Sequence, residues 1–345
     1  LAESVRQQLR RAETPGATVA LVVDGQTVLA DGIGARDLAG AVPLPTDAQC
    51  YSYSITKTLL AVIALQLVDQ RRLTLDAAVQ DYLPSLPLDT PVSVRQLLTH
   101  TAGLPDYGGM PAYTEAVRAN PGQPWTAEEF LARTLSQGLR FAPGSGWSYS
   151  NIGCLIIRLL IKAITGLSLR AALAAHIVAP LGLRRTVVAE TLEDSSTLVP
   201  GYSAIFGRAG ALANVAPLYH PGWVSHGVVI STAPELARIT EAVFTGPLLP
   251  ADLLPIMLQP TRVPDRHPLF RQPAYGLGVM IDARSPYGVV AGHAGGGPGY
   301  STAAFHFSNV AGQRVTSVAL ANRDRDDLGL QIAVRLAQAL AGDRV

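Results

Sequence analysis

With 345 residues, 48% of them hydrophobic and 15% charged, the chain can bury a large interior, and no stretch of it reads as disordered. Its length is generous for one core and short for two independent ones. A formal net charge of +1, with the basic pairs Arg10-Arg11, Arg71-Arg72 and Arg184-Arg185 far apart, excludes the clustered basic surface that nucleic acid requires. In chain order, residues 1–12 read as a short helix, with Val5 and Leu9 at i, i+4 spacing. Residues 17–23 and 27–30 read as strands around Asp24-Gly25, a favourable hairpin turn. From Ser54 to about residue 265 helical patterns dominate, broken by the Pro- and Gly-rich loops 103–111 and 121–124. Strand candidates follow at 276–281, 289–292, 302–307 and 315–321, and a helix over 328–340 closes the chain. Strands at both ends with helices between them imply one sheet built from distant segments, carrying a helical insertion. The longest apolar runs are interrupted by Gln66 and Asp69, or by Arg158 and Lys162, and fall short of a membrane span.

Ser54-Ile55-Thr56-Lys57 carries the most chemistry. A lysine three residues after a serine lies on the same helical face. The following run, residues 58–68, is apolar nearly all round, as in a helix at a protein centre. Burial lowers a lysine's pKa and leaves the amine available as a base. Lysine occurs only twice in the chain, at Lys57 and Lys162. The alternative for Lys57 is a cap or a snorkelling side chain at a helix end. Tyr149-Ser150-Asn151 follows a Pro143-Gly144 turn and opens the apolar run 152–164, so a phenol and a carboxamide stand at a helix start. Out of context Tyr149 is an ordinary half-buried tyrosine and Asn151 a helix N-cap. His293-Ala294-Gly295 follows the strand-like residues 288–291 and precedes Gly296-Gly297-Pro298-Gly299, where glycines allow close approach of backbone N–H groups to a ligand. Trp223 and His226 either line a pocket or pack, while His100 and His306 read as structural. Cys50 and Cys154 lack metal-ligand spacing and are too few for a disulfide framework; buried free thiols are expected over a pair. No metal or cofactor is expected.

Ser54-x-x-Lys57, Tyr149-x-Asn151 and His293-x-Gly295, in that order, are the three signatures of serine penicillin-recognising enzymes. The chain resembles that superfamily: class C β-lactamases, D-alanyl-D-alanine carboxypeptidases, and the esterases and D-aminopeptidases related to them. Residues 94–104 resemble its helix-to-loop segment toward the cleft, residues 180–183 its helix-terminating turn, residues 231–236 its capped helix behind the active site, and residues 275–278 the strand before the His-x-Gly strand. The resemblance implies a β-lactamase/transpeptidase-like α/β (α+β) fold, an antiparallel sheet flanked by terminal helices. Residues 1–60 and 266–345 would form the sheet domain and 61–265 a mostly helical inserted domain, with the active-site cleft between them.

By the same resemblance Ser54 would be the nucleophile of an acyl-enzyme, and Lys57 with Tyr149 the acid/base relay, the first base left open between them. The backbone N–H groups of Ser54 and Gly296 would form the oxyanion hole. Asn151 would orient the substrate amide or the Lys57 ammonium, and His293 would contribute a polar or cationic group beside Tyr149. Ala294, Gly295, Gly296 and Trp223 complete the expected substrate-binding set. One position departs from the family: Ala294 stands where carboxypeptidases and β-lactamases place a hydroxyl for the substrate carboxylate. Val279 and Met280 stand where some relatives supply an arginine, with Arg284 as a possible replacement. An unpaired buried carboxylate is costly, so an esterase or an amidase/peptidase acting on neutral or aminated substrates is expected ahead of a D-alanyl-D-alanine carboxypeptidase and of a β-lactamase. A catalytically silent binding protein of the same fold is the alternative of a different class. The partner would be a small-molecule or peptide substrate, with acylation by β-lactams expected. No signal peptide is visible and the chain starts at Leu1, which leaves a removed leader or a trimmed terminus open. A periplasmic or secreted location is expected over a cytoplasmic one.

Overall fold

The computed structural model describes residues 1–207 and 210–342; residues 208–209 and 343–345, which fall in the two regions expected from sequence, lie outside the described residues. Its strands are β1 (Gly16–Val23), β2 (Gln26–Gly34), β3 (Cys50–Tyr51), β4 (Val187–Ala189), β5 (Tyr202–Ser203), β6 (Ala213–Asn214), β7 (Val228–Ser231), β8 (Thr261–Arg262), β9 (Pro273–Tyr275), β10 (Met280–Asp282), β11 (Val290–Gly297), β12 (Tyr300–Val310) and β13 (Gln313–Ala321). Its α-helices are α1 (Ala2–Arg11), α2 (Ile55–Asp69), α3 (Val94–Leu98), α4 (Pro111–Ala119), α5 (Ala127–Leu135), α6 (Asn151–Thr165), α7 (Leu169–Leu173), α8 (Ala233–Phe244), α9 (Leu253–Met257) and α10 (Leu328–Leu340).

Both chain ends meet in one antiparallel sheet, ordered β2-β1-β13-β12-β11-β10-β9-β8. The pairing of β1 with β13 runs from Ala17 opposite Ala321 to Val23 opposite Val315. β1 is buried along its whole length and β13 from Val315 to Ala321, because both faces of these central strands are covered. Side chains alternate between faces: Val19, Leu21, Ala319 and Ala321 join the core formed with Val5, Leu9, Leu330 and Val334 of the terminal helices. Ala20, Val22, Val318 and Leu320 enter the larger core on the opposite face. That second core also holds nearly all of α2, where only Gln66, Val68 and Asp69 escape burial. An antiparallel sheet with terminal helices on one face and a helical region on the other is the architecture expected from sequence.

The structure differs from the sequence reading in detail. Part of the stretch read as the helical insertion lies on the sheet: α8 packs against β1, β12 and β13, and β8 forms the sheet edge beside β9. The apolar face of α8 (Leu236, Ile239, Ala242, Val243) is buried against that sheet, which a helical periodicity alone does not specify. The expected strand 276–281 is instead the tight turn 276–279 between β9 and β10, closed by Gly276 N donating to Val279 O at 2.8 Å, followed by the first two residues of β10. Gly278 has φ +68°, and a Cβ there would lie 2.6 Å from Ala61 Cβ and 2.8 Å from Lys57 O. Glycine thus seats this turn against the first turns of α2. Thr58 Oγ1 donates to Gly278 O at 2.7 Å and locks the contact.

Candidate functional site

Ser54 stands at the N-terminus of α2, on a turn that its neighbours hold in place. Tyr53 has φ +45°, a left-handed conformation uncommon for a non-glycine residue. Its hydroxyl donates to Pro298 O at 2.5 Å, and its ring lies where a Cβ on Gly297 would collide. A Cβ on Gly295 would strike Ser52 O and lie 3.1 Å from Ser54 N, so the end of β11 presses directly on this turn. Strain at Tyr53, of the order of 1–3 kcal/mol, is therefore held by contacts from β11 and the loop after it. The Ser54 side chain makes no cap hydrogen bond to its own helix, which leaves Oγ free for other partners.

Those partners are Lys57 Nζ at 2.9 Å and Tyr149 OH at 2.9 Å. Lys57 is 1% exposed, and burial brings its ammonium down to a pKa of about 8. Nζ also donates to Asn151 Oδ1 at 2.8 Å, lies 3.1 Å from His226 Nε2, and sits 4.9 Å from the centre of the Tyr149 ring. Burial, and secondarily Cys154, raises the Tyr149 phenol well above its ordinary range, so it remains protonated. Between the two candidate bases, then, only Lys57 becomes proton-free near neutral pH.

Tyr149, Ser150 and Asn151 open α6. Ser150 Oγ caps the helix by accepting from Gly153 N at 3.3 Å, and donates to Pro105 O at 2.9 Å. Asp106 then sets the Asn151 carboxamide: Oδ1 accepts from Asn151 N at 2.8 Å and Oδ2 from Nδ2 at 3.2 Å. With its amino end held by Asp106, Asn151 turns its carbonyl oxygen to Lys57. The His100 ring lies 4.5 Å from the Tyr149 ring, and its Nδ1 accepts from Ser150 N at 3.3 Å, so it packs as a buried neutral support.

His293 reaches the cluster from β11, which runs through the histidine to Gly297, further than the expected strand end at 292. Tyr275 OH donates to Nε2 at 2.8 Å while Nδ1 donates to Ala294 O at 2.5 Å. Burial, and secondarily the Lys57 charge, brings the imidazole pKa down to about 3. Of the two expectations for His293, polar or cationic, the structure gives the polar one. Its ring centre lies 6.3 Å from that of Tyr149.

Two cavities meet at Tyr149 and Gly296. One, of about 280 Å³, is lined by Ser54, Asn151 and His226 and walled by Tyr53, Tyr107, Tyr113, Tyr219 and Trp223. Trp223 is 1% exposed, donates from Nε1 to Asn120 O and Pro121 O, and belongs to an aromatic cluster with Tyr113, Trp125 and Phe130, so it both packs and lines the cavity. The other, of about 840 Å³, is lined by Tyr149, Met280, His293, Ala294, Gly295 and Gly296, with Asp324, Asp326 and Asp327 along one side. Arg325 shares that wall, but its guanidinium is tied to Ala12 O and the Glu13 carboxylate. Arg284 does not enter either cavity: β10 ends at Asp282, opposite Val290, so position 284 lies at the far end of β11 from His293.

Sequence reading missed Asp106 as the holder of Asn151 and left His226 undecided between pocket and packing. Position 106 follows the segment 94–104, and a carboxylate at the end of a loop aimed toward the cleft was the available signal. Cys50 and Cys154 are free and buried. Among the described residues no cluster of His, Cys, Asp or Glu has the makings of a metal site, and no single helix is long and apolar enough to cross a membrane.

A serine hydroxyl shared by a buried lysine and a protonated tyrosine, at the start of a central helix beside an antiparallel strand, has the parts that serine acyl transfer requires. Residues 1–341 match the family profile described as Beta-lactamase; the chain belongs to that family and is a serine hydrolase of its superfamily. It is 24% identical over 334 residues to penicillin-binding protein 4* of Bacillus subtilis, covering 93% of this chain and 71% of that protein. It is 33% identical over 182 residues to a D-aminopeptidase of Brucella anthropi, 53% of this chain and 34% of the relative. With esterase EstB of Burkholderia gladioli the identity is 32% over 192 residues, 52% of this chain and 48% of the relative. These two matches thus span half or less of the relatives' length. Among solved structures, a D-stereospecific amidohydrolase from Streptomyces sp. superposes with a TM-score of 0.80 at 26% identity, covering 96% of this chain and 98% of the other. D-amino acid amidase from Ochrobactrum anthropi SV3, with a TM-score of 0.81 at 24% identity over the full length of both chains, shares the fold.

Proposed function

We propose that the protein hydrolyses an ester or a peptide-like amide through an acyl-enzyme on Ser54. The observation that carries the reading is that Ser54 Oγ lies 2.9 Å from both Lys57 Nζ and Tyr149 OH. In this scheme Ser54 Oγ bonds to the acyl carbon, its proton passes to the neutral Lys57 amine, and the carbonyl electron pair moves onto oxygen. The backbone N–H groups of Ser54 and Gly296, two residues that line one cavity, would receive that oxyanion. Tyr149 gives its phenolic proton to the departing oxygen or nitrogen as that bond breaks, and recovers a proton from the Lys57 ammonium. Water then repeats the sequence on the acyl-enzyme.

The aromatic-walled cavity suits an apolar or aromatic acyl side chain. The larger cavity suits a leaving group without a carboxylate: Ala294 offers no hydroxyl, three aspartates line it, and Arg325, the arginine that lines it among the described residues, is already engaged. A neutral ester or an amine-bearing amide is therefore ahead of a D-alanyl-D-alanine peptide. The similarity to an esterase, a D-aminopeptidase and a D-stereospecific amidohydrolase supports this order. Acylation by β-lactams is part of the same proposal, with slow release expected.

Turnover of p-nitrophenyl acetate, a D-amino-acid anilide and nitrocefin by one preparation tests the ranking. Ser54→Ala should abolish turnover and covalent labelling by a fluorophosphonate while the protein stays folded. A label that persists and maps to another serine would overturn the assignment.

A further inference from the structure

His226 enters the site from the turn between Trp223 and β7, and no step described above uses it. The turn is firmly built. Ser225 N donates to Tyr107 OH at 3.1 Å, Gly227 N donates to Val224 O at 2.8 Å, and Gly227 has φ +89° with its absent Cβ space occupied by Leu169. The imidazole is 2% exposed, with Nε2 lying 3.1 Å from Lys57 Nζ and Nδ1 without a hydrogen-bond partner among the described residues.

Taking Ser54 and Lys57 as nucleophile and base, as proposed above, we infer that His226 is a positioning residue. Its Nε2 and Asn151 Oδ1 hold the two N–H bonds of the neutral Lys57 amine, so that the lone pair faces Ser54 Oγ.

A neutral primary amine has two N–H donors and one lone pair, arranged tetrahedrally. Lys57 Nζ has three such neighbours, at 2.8 Å (Asn151 Oδ1), 2.9 Å (Ser54 Oγ) and 3.1 Å (His226 Nε2). A carboxamide oxygen only accepts, and an imidazole nitrogen without a proton does the same. Ser54 alone has a proton to give. With both N–H bonds occupied, the lone pair is left where the Ser54 O–H bond must break. Once that proton arrives, the ammonium has three N–H bonds and the same three acceptors, so the transfer needs no rotation about the terminal C–N bond. Without His226 one N–H would lack a partner, and the lone pair could turn away from the serine.

The surroundings keep His226 in the required form. Burial, and secondarily the Lys57 charge, holds its pKa well below the usual imidazole range, so it stays neutral; accepting from Lys57 at Nε2 then requires the tautomer with its proton on Nδ1. Of the other titratable groups, Arg158 and Cys154 come from α6, and Tyr149 from just before it. Asp106 and Tyr107 come from the loop before α4, His100 from the end of α3, and His293 from β11. Among the described residues only Lys57 is hydrogen-bonded to the His226 ring.

The test compares His226→Leu, His226→Gln and His226→Asn in the full chain. Kinetics on p-nitrophenyl acetate and rates of fluorophosphonate labelling at Ser54 would be followed from about pH 6 to about pH 10. Gln has the reach to present an acceptor; Asn has similar polarity but falls short. Expected are a kcat lowered by about 10–100-fold in the Leu and Asn variants with KM within about twofold, and recovery of most of the rate in Gln. The acid limb of kcat/KM should also move to lower pH in Leu and Asn, because the ammonium has lost an acceptor. A Leu or Asn variant within about twofold of the parent at every pH would overturn the inference. So would a Gln variant that is folded, as judged by its melting curve, yet as slow as Asn. Failure of the parent enzyme itself to be labelled at Ser54 would overturn the reading of the site beneath it, which separates the two results.

Discussion

In the proposed mechanism the protonation state of Lys57 decides the rate. Burial lowers its ammonium pKa to about 8, and the proposed reaction needs the neutral amine. Below about pH 8 the base is protonated and kcat/KM should fall tenfold per pH unit, while above it the rate levels off. The Tyr149 phenol, raised by burial, should add no alkaline decline near that value. A profile with its acid limb near pH 5 would point to a different base. Lys57→Arg should be nearly inactive, since guanidinium stays protonated. Tyr149→Phe should lower kcat by about 10²–10⁴-fold with little change in KM. At position 294 a threonine should improve cleavage of substrates ending in a free carboxylate relative to neutral esters by about tenfold, from a charged hydrogen bond of about 1.5–3 kcal/mol. An unchanged ratio would show that the cleft wall does not touch that group. Ser54, Lys57, Tyr149 and His293 were legible because each lies in a short motif whose spacing carries chemistry. Asp106 was not, and His226 only as a residue that either lines a pocket or packs, because they meet their partners Asn151 and Lys57 across 45 and 169 residues of sequence without a motif to join them.

At the level of elements, helices and strands with a clear period were readable from sequence, whereas breaks in them were less so. Asp24-Gly25 announced its hairpin, and both residues take the positive φ that such a turn demands. Residues 276–281 read as one strand, but Gly276 and Gly278 bend the chain into a turn that Gly278 seats on α2. Substituting Gly278 tests how much this turn matters. Gly278→Ala combines a left-handed φ with a Cβ in contact with Ala61 and the Lys57 carbonyl. A loss of at least about 2 kcal/mol is expected, read as a melting temperature lower by several degrees. Activity should fall further than stability alone explains, since α2 carries both Ser54 and Lys57. An alanine variant that melts with the parent and turns over normally would show that α2 holds its position without the turn.

Across the whole molecule the two halves share one interior. Ala20, Val22, Val318 and Leu320 of the sheet and Leu155, Ile156 and Trp223 of the helical part belong to one core, and α2 runs through it. This coupling was not readable from a chain whose length suits neither one core nor two. It predicts a single cooperative transition in denaturant. All three tryptophans, Trp125, Trp147 and Trp223, lie in the stretch 61–265, so their fluorescence follows the helical part while far-UV circular dichroism follows the entire fold. The two curves should coincide; separated midpoints would show that the parts unfold independently. The same shared interior encloses Cys50 on β3 and Cys154 on α6, both free and at most 5% exposed. Folded molecules should therefore be inert to a thiol-alkylating reagent, and each alkylation should record an opening event. The pair then serves as two clocks at separate points of one core. Equal rates would time rare whole-molecule openings in native buffer, and a faster Cys154 would expose breathing of α6 beside Ser54.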